Sequence, residues 1–91
     1  MTHARTTKRA LIARVHRIAG QVAAIERAIS EDAGCSTVLQ QVAAVRGAVR
    51  GLMDRLIEEH IQQYLAQPGL SDPERSEAAD DIISAIRRFA K

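Results

Sequence analysis

The stretch that decides the fold is Ser36–Leu65, STVLQQVAAVRGAVRGLMDRLIEEHIQQYL. Val38, Val42, Val45, Val49, Leu52 and Leu56 follow one another at alternating steps of four and three residues. That seven-residue repeat lines one side of an α-helix. Leu39, Met53, Ile57 and Ile61 widen the stripe. One neighbouring helix covers a single stripe, so Leu39, Met53 and Ile57 require another partner. The spacing predicts one long helix over about residues 36–65, with Ser36 as its N-cap.

The same repeat lies upstream in Leu11, Val15, Ile18, Val22, Ile25 and Ile29. It predicts a first long helix, capped by Thr6 or Thr7, with Gly34 beyond its end. Downstream, Gln67-Pro68-Gly69 ends the second helix, because proline and glycine break helical continuity. Ser71-Asp72-Pro73-Glu74 restarts a third, with Asp72 expected as N-cap and Pro73 at the first helical position. Ala78, Ile82, Ala85, Ile86 and Phe89 are its apolar positions. No useful stretch alternates with period two, so no strand is expected. The expectation is an all-α fold, with residues 1–91 forming one helical domain.

Composition narrows the class. The chain of 91 residues is 46% hydrophobic and 2% aromatic, its aromatics being Tyr64 and Phe89. A single cysteine, Cys35, excludes an intrachain disulfide and a multi-cysteine zinc site. No run of about 18 apolar residues is present, so no membrane span is expected. Nor is there an apolar segment behind the N-terminus of the kind a secretory signal needs, so the expected compartment is the cytoplasm. A small aliphatic core is marginal by itself, and oligomerisation is the remedy.

The net charge of +2 conceals a gradient. Residues 1–30 carry +5, residues 31–66 carry −2 and residues 67–91 carry −1. A basic N-terminal third suits an anionic partner such as nucleic acid; a solvated helix face is the alternative. Ala43, Ala44, Gly47, Ala48 and Gly51 cluster near the middle of the second helix. Two glycines inside a helix cost about 1 kcal/mol each against alanine, which asks for a packing reason. A close helix crossing is one; tolerance on a surface is the other.

The polar residues of interest are His3, Cys35, His60 and Tyr64, while His16 sits among the arginines of the first helix. His60 and Tyr64 stand four residues apart on one helix face. Cys35 opens the same helix, where the partial positive charge of a helix N-terminus favours a thiolate ligand or nucleophile. A lone cysteine is otherwise a small hydrophobe, and a lone histidine is often ordinary. Cys35 and His60 are 25 residues apart, roughly 37 Å along a helix, too far for one intrachain site. If two copies of this helix pair antiparallel, Cys35 of one lies opposite His60 of the other. The crossing then falls near residues 47 and 48, among Ala44, Gly47, Ala48 and Gly51, and two-fold symmetry makes two sites. Thiolate and imidazole together suit zinc, nickel, cobalt or copper(I). Thr2 permits removal of Met1, which would leave an α-amine beside His3.

Several of these residues also fall in longer runs. Arg14-Val15-His16-Arg17-Ile18-Ala19-Gly20-Gln21-Val22, then Cys35, then Val38 to Ala48, Gly51-Leu52-Met53 and His60 together resemble the CsoR/RcnR/FrmR family of bacterial DNA-binding repressors. The resemblance spans essentially the whole chain, and Arg87-Arg88-Phe89-Ala90-Lys91 looks like the family's C-terminal end. It implies a three-helix protomer, an antiparallel dimer and a dimer of dimers, a homotetramer without a helix-turn-helix. It implies repression of an operon for metal efflux or aldehyde detoxification, with release of operator double-stranded DNA when an effector binds near Cys35. The family's DNA-contacting positions fall on Arg14, Arg17 and Arg46, and its sensing positions on the N-terminus with His3, and on Cys35, His60 and Tyr64.

The effector is where this chain departs from the family's branches. The nickel/cobalt branch has a further histidine where Tyr64 stands. The formaldehyde branch has a proline where Thr2 stands, and that proline's amine is crosslinked to the cysteine. The copper(I) branch has a second cysteine at the Tyr64 position, so copper is discounted. A phenol is a poor ligand while it keeps its proton. The α-amine, His3, Cys35 and His60 still form a set for nickel, cobalt or zinc. The Arg-Val-His-Arg-Ile run of the first helix, with Ile25-Glu26-Arg27, leans towards the formaldehyde branch, for which no cofactor is needed. A metal ranks first because three ligand types remain and the defining proline is absent. The remaining rival is a metal-binding helical protein with no DNA role, which leaves the N-terminal charge unexplained. No acid/base pair or glycine-rich phosphate loop points to an enzyme.

Overall fold

The computed structural model describes residues 5–90, with side chains from residue 7. Three helices follow in order: α1 Arg5–Ser30, α2 Cys35–Tyr64 and α3 Asp72–Ala90. Among the described residues there is no strand, as the uninterrupted helical periodicity requires. Thr2 and His3 lie outside the described residues.

The helix ends differ from the expected ones in instructive ways. α1 is already under way at Arg5, so Thr6 and Thr7 lie inside it and do not cap it. Extending the helix adds backbone hydrogen bonds, and Lys8, Arg9 and Ala10 are good helix formers. At its other end, Ala33 N–H donates to Ala28 O at 2.8 Å and Asp32 N–H to Ile29 O at 3.2 Å. This pair of bonds is a Schellman motif, and its left-handed position is Asp32, with φ of 56°. Gly34, which looked like the terminator, instead starts the next helix, its carbonyl accepting from Val38 N–H at 3.2 Å. Cys35 is therefore the first helical residue of α2, and Ser36 is inside the helix instead of capping it.

At α3, Ser71 is the N-cap, one residue earlier than expected. Its Oγ accepts from Glu74 N–H at 3.2 Å, and its carbonyl accepts from Arg75 N–H at 3.1 Å. Ser71-Asp72-Pro73-Glu74 has capping-box spacing, which favours serine over Asp72 as the cap. Asp72 and Glu74 then sit in the first turn, where the helix dipole favours negative charge.

Two compact units divide the chain within α2, the first ending at Met53 and the second beginning at Asp54. In the first, α1 and the start of α2 form a helical hairpin closed by residues 31–34. Arg14 lies 16 residues back from Ser30, and Gly51 lies 16 residues on from Cys35. The two meet across the hairpin, so the helices pair in register. The expected α1 stripe splits into two rows. Leu11, Ile18 and Ile25 are covered to varying degrees, Leu11 being buried at 9% exposure. Val15, Val22 and Ile29 stay open, Ile29 at 60%. Of the three α2 residues expected to need another partner, Leu39 is 64% exposed, while Met53 and Ile57 are already half-buried.

In the second unit, the break after Tyr64 turns through Gly69, whose φ of 84° suits glycine. Arg75 of α3 holds that turn. Its guanidinium donates to Leu65 O at 2.6 Å, Gln67 O at 3.1 Å and Leu70 O at 3.4 Å. Ala78 is buried there, while Ile83, Ile86 and Phe89 are exposed. Among the described residues, Leu11 and Ala78 are the buried apolar side chains of the whole protomer.

Two outcomes follow from these ends. Asp32→Gly removes the left-handed penalty of a β-carbon and should stabilise the fold by up to about 1 kcal/mol, read as a higher urea midpoint. A lower midpoint would show that the aspartate side chain itself holds the turn. Arg75→Ala deprives three carbonyls of a charged donor and should cost about 2 kcal/mol in thermal or urea unfolding. An unchanged midpoint would mean water replaces the guanidinium.

Candidate functional site

The three arginines expected to meet DNA all belong to the hairpin of the first unit. Arg14 and Arg17 are one turn apart on α1, and Arg46 is on α2. Counted from the closing turn they lie 16, 13 and 11 residues away. In an in-register hairpin that range spans only about 8 Å along the axis. The three arginines thus share one level of the hairpin along its axis. Arg17 and Arg46 are exposed, and Arg14 is half-buried. A methyl group placed on Gly51 would lie 3.3 Å from Arg14 Nη1, so this glycine admits the guanidinium against α2. His16 is exposed on α1.

Cys35 is a free, exposed thiol at the first position of α2. Nothing in the first turn of α2 is acidic. The thiol thus stands at the positive end of the helix dipole with no neighbouring carboxylate in that turn.

His60 and Tyr64 belong to the second unit and pack ring against ring, with centroids 4.7 Å apart and planes tilted by 46°. Their spacing of one helical turn makes this contact local. Both are half-buried. His60 Nε2 is shielded from solvent and has no hydrogen-bond partner. A buried nitrogen left in that condition costs about 1–3 kcal/mol, unless something outside the protomer arrives to meet it. Tyr64 lies on the imidazole as a packing partner.

Among the described residues no group of three His, Cys, Asp or Glu side chains is gathered closely enough to hold a metal ion. The protomer keeps Cys35 in one unit and His60 with Tyr64 in the other, and Thr2 and His3 lie outside the described residues. The small residues at mid-α2 are uncovered or nearly so. Ala44 and Gly47 are exposed, and a β-carbon at Gly47 would meet nothing within 4 Å. Ala48 is half-buried, and Gly51 is engaged with Arg14. Sequence reasoning missed two further features. The side-chain oxygens of Gln21 and Gln41 are shielded and lack hydrogen-bond donors. The approach of Arg14 to Gly51 was legible only once both helix ends were known.

Comparison with known proteins adds the following. A family model described as metal-sensitive transcriptional repressor matches residues 7–88. An uncharacterised protein from the bioA 5′ region of Serratia marcescens is 41% identical over 91 residues, covering all of both chains. The transcriptional repressor RcnR of Salmonella arizonae is 37% identical over 91 residues, again covering both completely. A solved variant of the formaldehyde-responsive regulator FrmR from Salmonella enterica serovar Typhimurium is 36% identical. It superposes with a TM-score of 0.89 over 97% of this chain and 99% of that one.

The unmet nitrogen of His60 has a measurable consequence. His60→Leu removes a polar atom that gains nothing in the apo protein, so urea stability should stay within about 0.5 kcal/mol of the parent or rise. A loss of about 2 kcal/mol or more would show that the imidazole is already satisfied without effector.

Proposed function

The chain belongs to the metal-sensitive transcriptional repressor family, and from this we propose that it holds operator DNA on the basic hairpin of its first unit and releases it when an effector joins Cys35 to His60 of a second copy. The whole of residues 1–91 acts as one DNA-binding and effector-sensing domain, assembled as an antiparallel dimer and a dimer of dimers in the cytoplasm. No described helix is long and apolar enough to cross a membrane.

The observation that carries the sensing half is the shielded, unpartnered His60 Nε2, at the opposite end of α2 from a free, exposed Cys35. Antiparallel pairing of two α2 helices places those ends together, and the open flank of Gly47 suits the crossing between them. Ala44 and Ala48 extend the small-residue stretch at that crossing, whereas Gly51, expected there too, is engaged with Arg14 of its own chain. Two buried apolar side chains among the described residues are too few to hold a chain of this length alone, which favours burial against further copies.

Arg14, Arg17 and Arg46 contact phosphates. Such contacts make affinity fall steeply with salt. Repetition of the patch around a tetramer adds avidity. Thr2 and His3 precede the start of α1 by two or three residues, and Arg14 lies within three turns of that start. Tying the N-terminus to Cys35 of the partner therefore shifts α1 and with it Arg14 and Arg17. The coupling needed is of the usual allosteric size, about 1–3 kcal/mol.

We rank nickel, cobalt or zinc first as effector. Cys35 Sγ, His60 Nε2, the α-amine of Thr2 and His3 are the donors that would hold the ion. When bound, the metal supplies the bonds that draw these groups together. Tyr64 packs on His60 and fixes the imidazole instead of acting as a strong donor. Formaldehyde is the second reading, favoured by the exposed, free thiol of Cys35. The primary amine of Thr2 condenses with formaldehyde to an imine and water. The thiol then adds across the imine, its sulfur to carbon and its proton to nitrogen, leaving an N–CH2–S bridge.

A DNA-release titration with nickel, cobalt, zinc and formaldehyde decides between them. The expected result is release by one of the metals at concentrations where formaldehyde has no effect. Release by formaldehyde alone reverses the ranking. Cys35→Ala should bind the operator as the parent does and fail to release it with any effector; normal release by this variant would remove Cys35 from the site.

A further inference from the structure

Among the described residues, Gly20, Gly34 and Gly47 would have nothing within 4 Å of an added β-carbon. Gly51 is different: the atom closest to it is a cation from the other helix of the hairpin, Arg14 Nη1 at 3.3 Å from where that carbon would lie. Arg14 is also half-buried, while Arg17 and Arg46 are exposed. Its guanidinium lies beside the flank of α2 with no DNA present, which restricts the side chain more than open solvent would. An arginine already held in place loses less rotamer freedom on binding than one waving in solvent. A glycine in mid-helix costs helix stability against alanine, so its presence at a point of close approach has a purpose to explain.

We propose that Gly51 is a positioning residue for DNA binding: its missing side chain lets the Arg14 guanidinium lie on α2 at the height where it meets a phosphate. The inference rests on the reading of Arg14 as a phosphate contact. It also separates Gly51 from Gly47, which keeps an open flank available to a second copy. A methyl group at position 51 forces the guanidinium outwards by a few tenths of an ångström, and a valine forces it further. Charged hydrogen bonds to phosphate are short, near 2.7–2.9 Å, and tolerate little displacement.

The test is a set of anisotropy titrations of a fluorescein-labelled DNA duplex at several salt concentrations. The proteins are the parent, Arg14→Ala, Gly51→Ala, Gly51→Val, Gly47→Ala, and each glycine variant combined with Arg14→Ala. Circular dichroism and sedimentation report fold and assembly for each. Arg14→Ala is expected to bind about tenfold more weakly and to flatten the salt slope by about one. Gly51→Ala is expected to lose about threefold and Gly51→Val to approach Arg14→Ala, with the slope flattened in the same order. In the Arg14→Ala background neither change at 51 should matter further, whereas any effect of Gly47→Ala should persist. If Gly51→Val does not fold, Gly51→Ala and its double variant carry the test. Parent-like binding by the Gly51 variants beside a weakened Arg14→Ala overturns the proposal and leaves Arg14 as a contact. A Gly51 effect undiminished in the Arg14→Ala background also overturns it, and assigns the glycine to a helix crossing. Parent-like binding and salt slope for Arg14→Ala overturn the reading of Arg14 itself, and the proposal with it.

Discussion

α2 is a thirty-residue helix with apolar side chains on more than one flank, and none of its side chains is fully buried in the protomer. Leu39 and Val42 stay exposed near its start and Ile61 near its end. Ordering a backbone residue costs about 1–2 kcal/mol, and burial of apolar surface is the main term that offsets it. A protomer whose buried side chains, among those described, are Leu11 and Ala78 leaves most of that offset to be found elsewhere. Membership of a repressor family and the exposed stripe thus point the same way, towards further copies of the chain. The oligomer is part of the proposal, and the unfilled apolar surface is its physical motive.

The same constraint bears on the proposed sensing chemistry. If α2 must pair with another α2, residues far apart on one chain become neighbours between two. Cys35 at the first turn and His60 near the last are useless to each other within a helix and well placed across a symmetric crossing. An unsatisfied Nε2 on His60 is then a reserved bond, intelligible where a donor or ion arrives with the partner. Tyr64 packs against one side of that imidazole.

The hairpin does a separate task. Its in-register pairing follows from a short connection closed by the Schellman bonds at Ala28 and Ile29. That register brings Arg14 level with Gly51 and confines Arg14, Arg17 and Arg46 to one narrow band. The chain's net charge is only +2, yet the hairpin sets basic residues from two helices at one level. In the proposed mechanism, coupling between sensing and DNA release runs through a movement of α1 against α2.

Helix number, order and approximate length were written in the sequence, because the alternating four-and-three spacing of aliphatic residues has one helical reading. Family and candidate site residues were legible too, in Arg14–Val22, the Val38–Ala48 run, Cys35 and His60. The caps were less so. Ser71 outcompeted Asp72 because only its hydroxyl reaches Glu74 N–H, and Asp32 displaced Gly34 as terminator because the bonds to Ala28 and Ile29 fix where the chain reverses. Arg75 clamping Leu65, Gln67 and Leu70 carried no local signal, since it depends on the path of the turn it closes. By itself, then, the sequence determined the helices and the residue types of both candidate sites, because periodicity and side-chain chemistry are local. Only the tertiary structure decided which carbonyls Arg75 meets, that His60 Nε2 is shielded and unmet, and that Arg14 lies on Gly51. Those facts depend on distances between residues far apart along the chain, set by helix register and turn geometry.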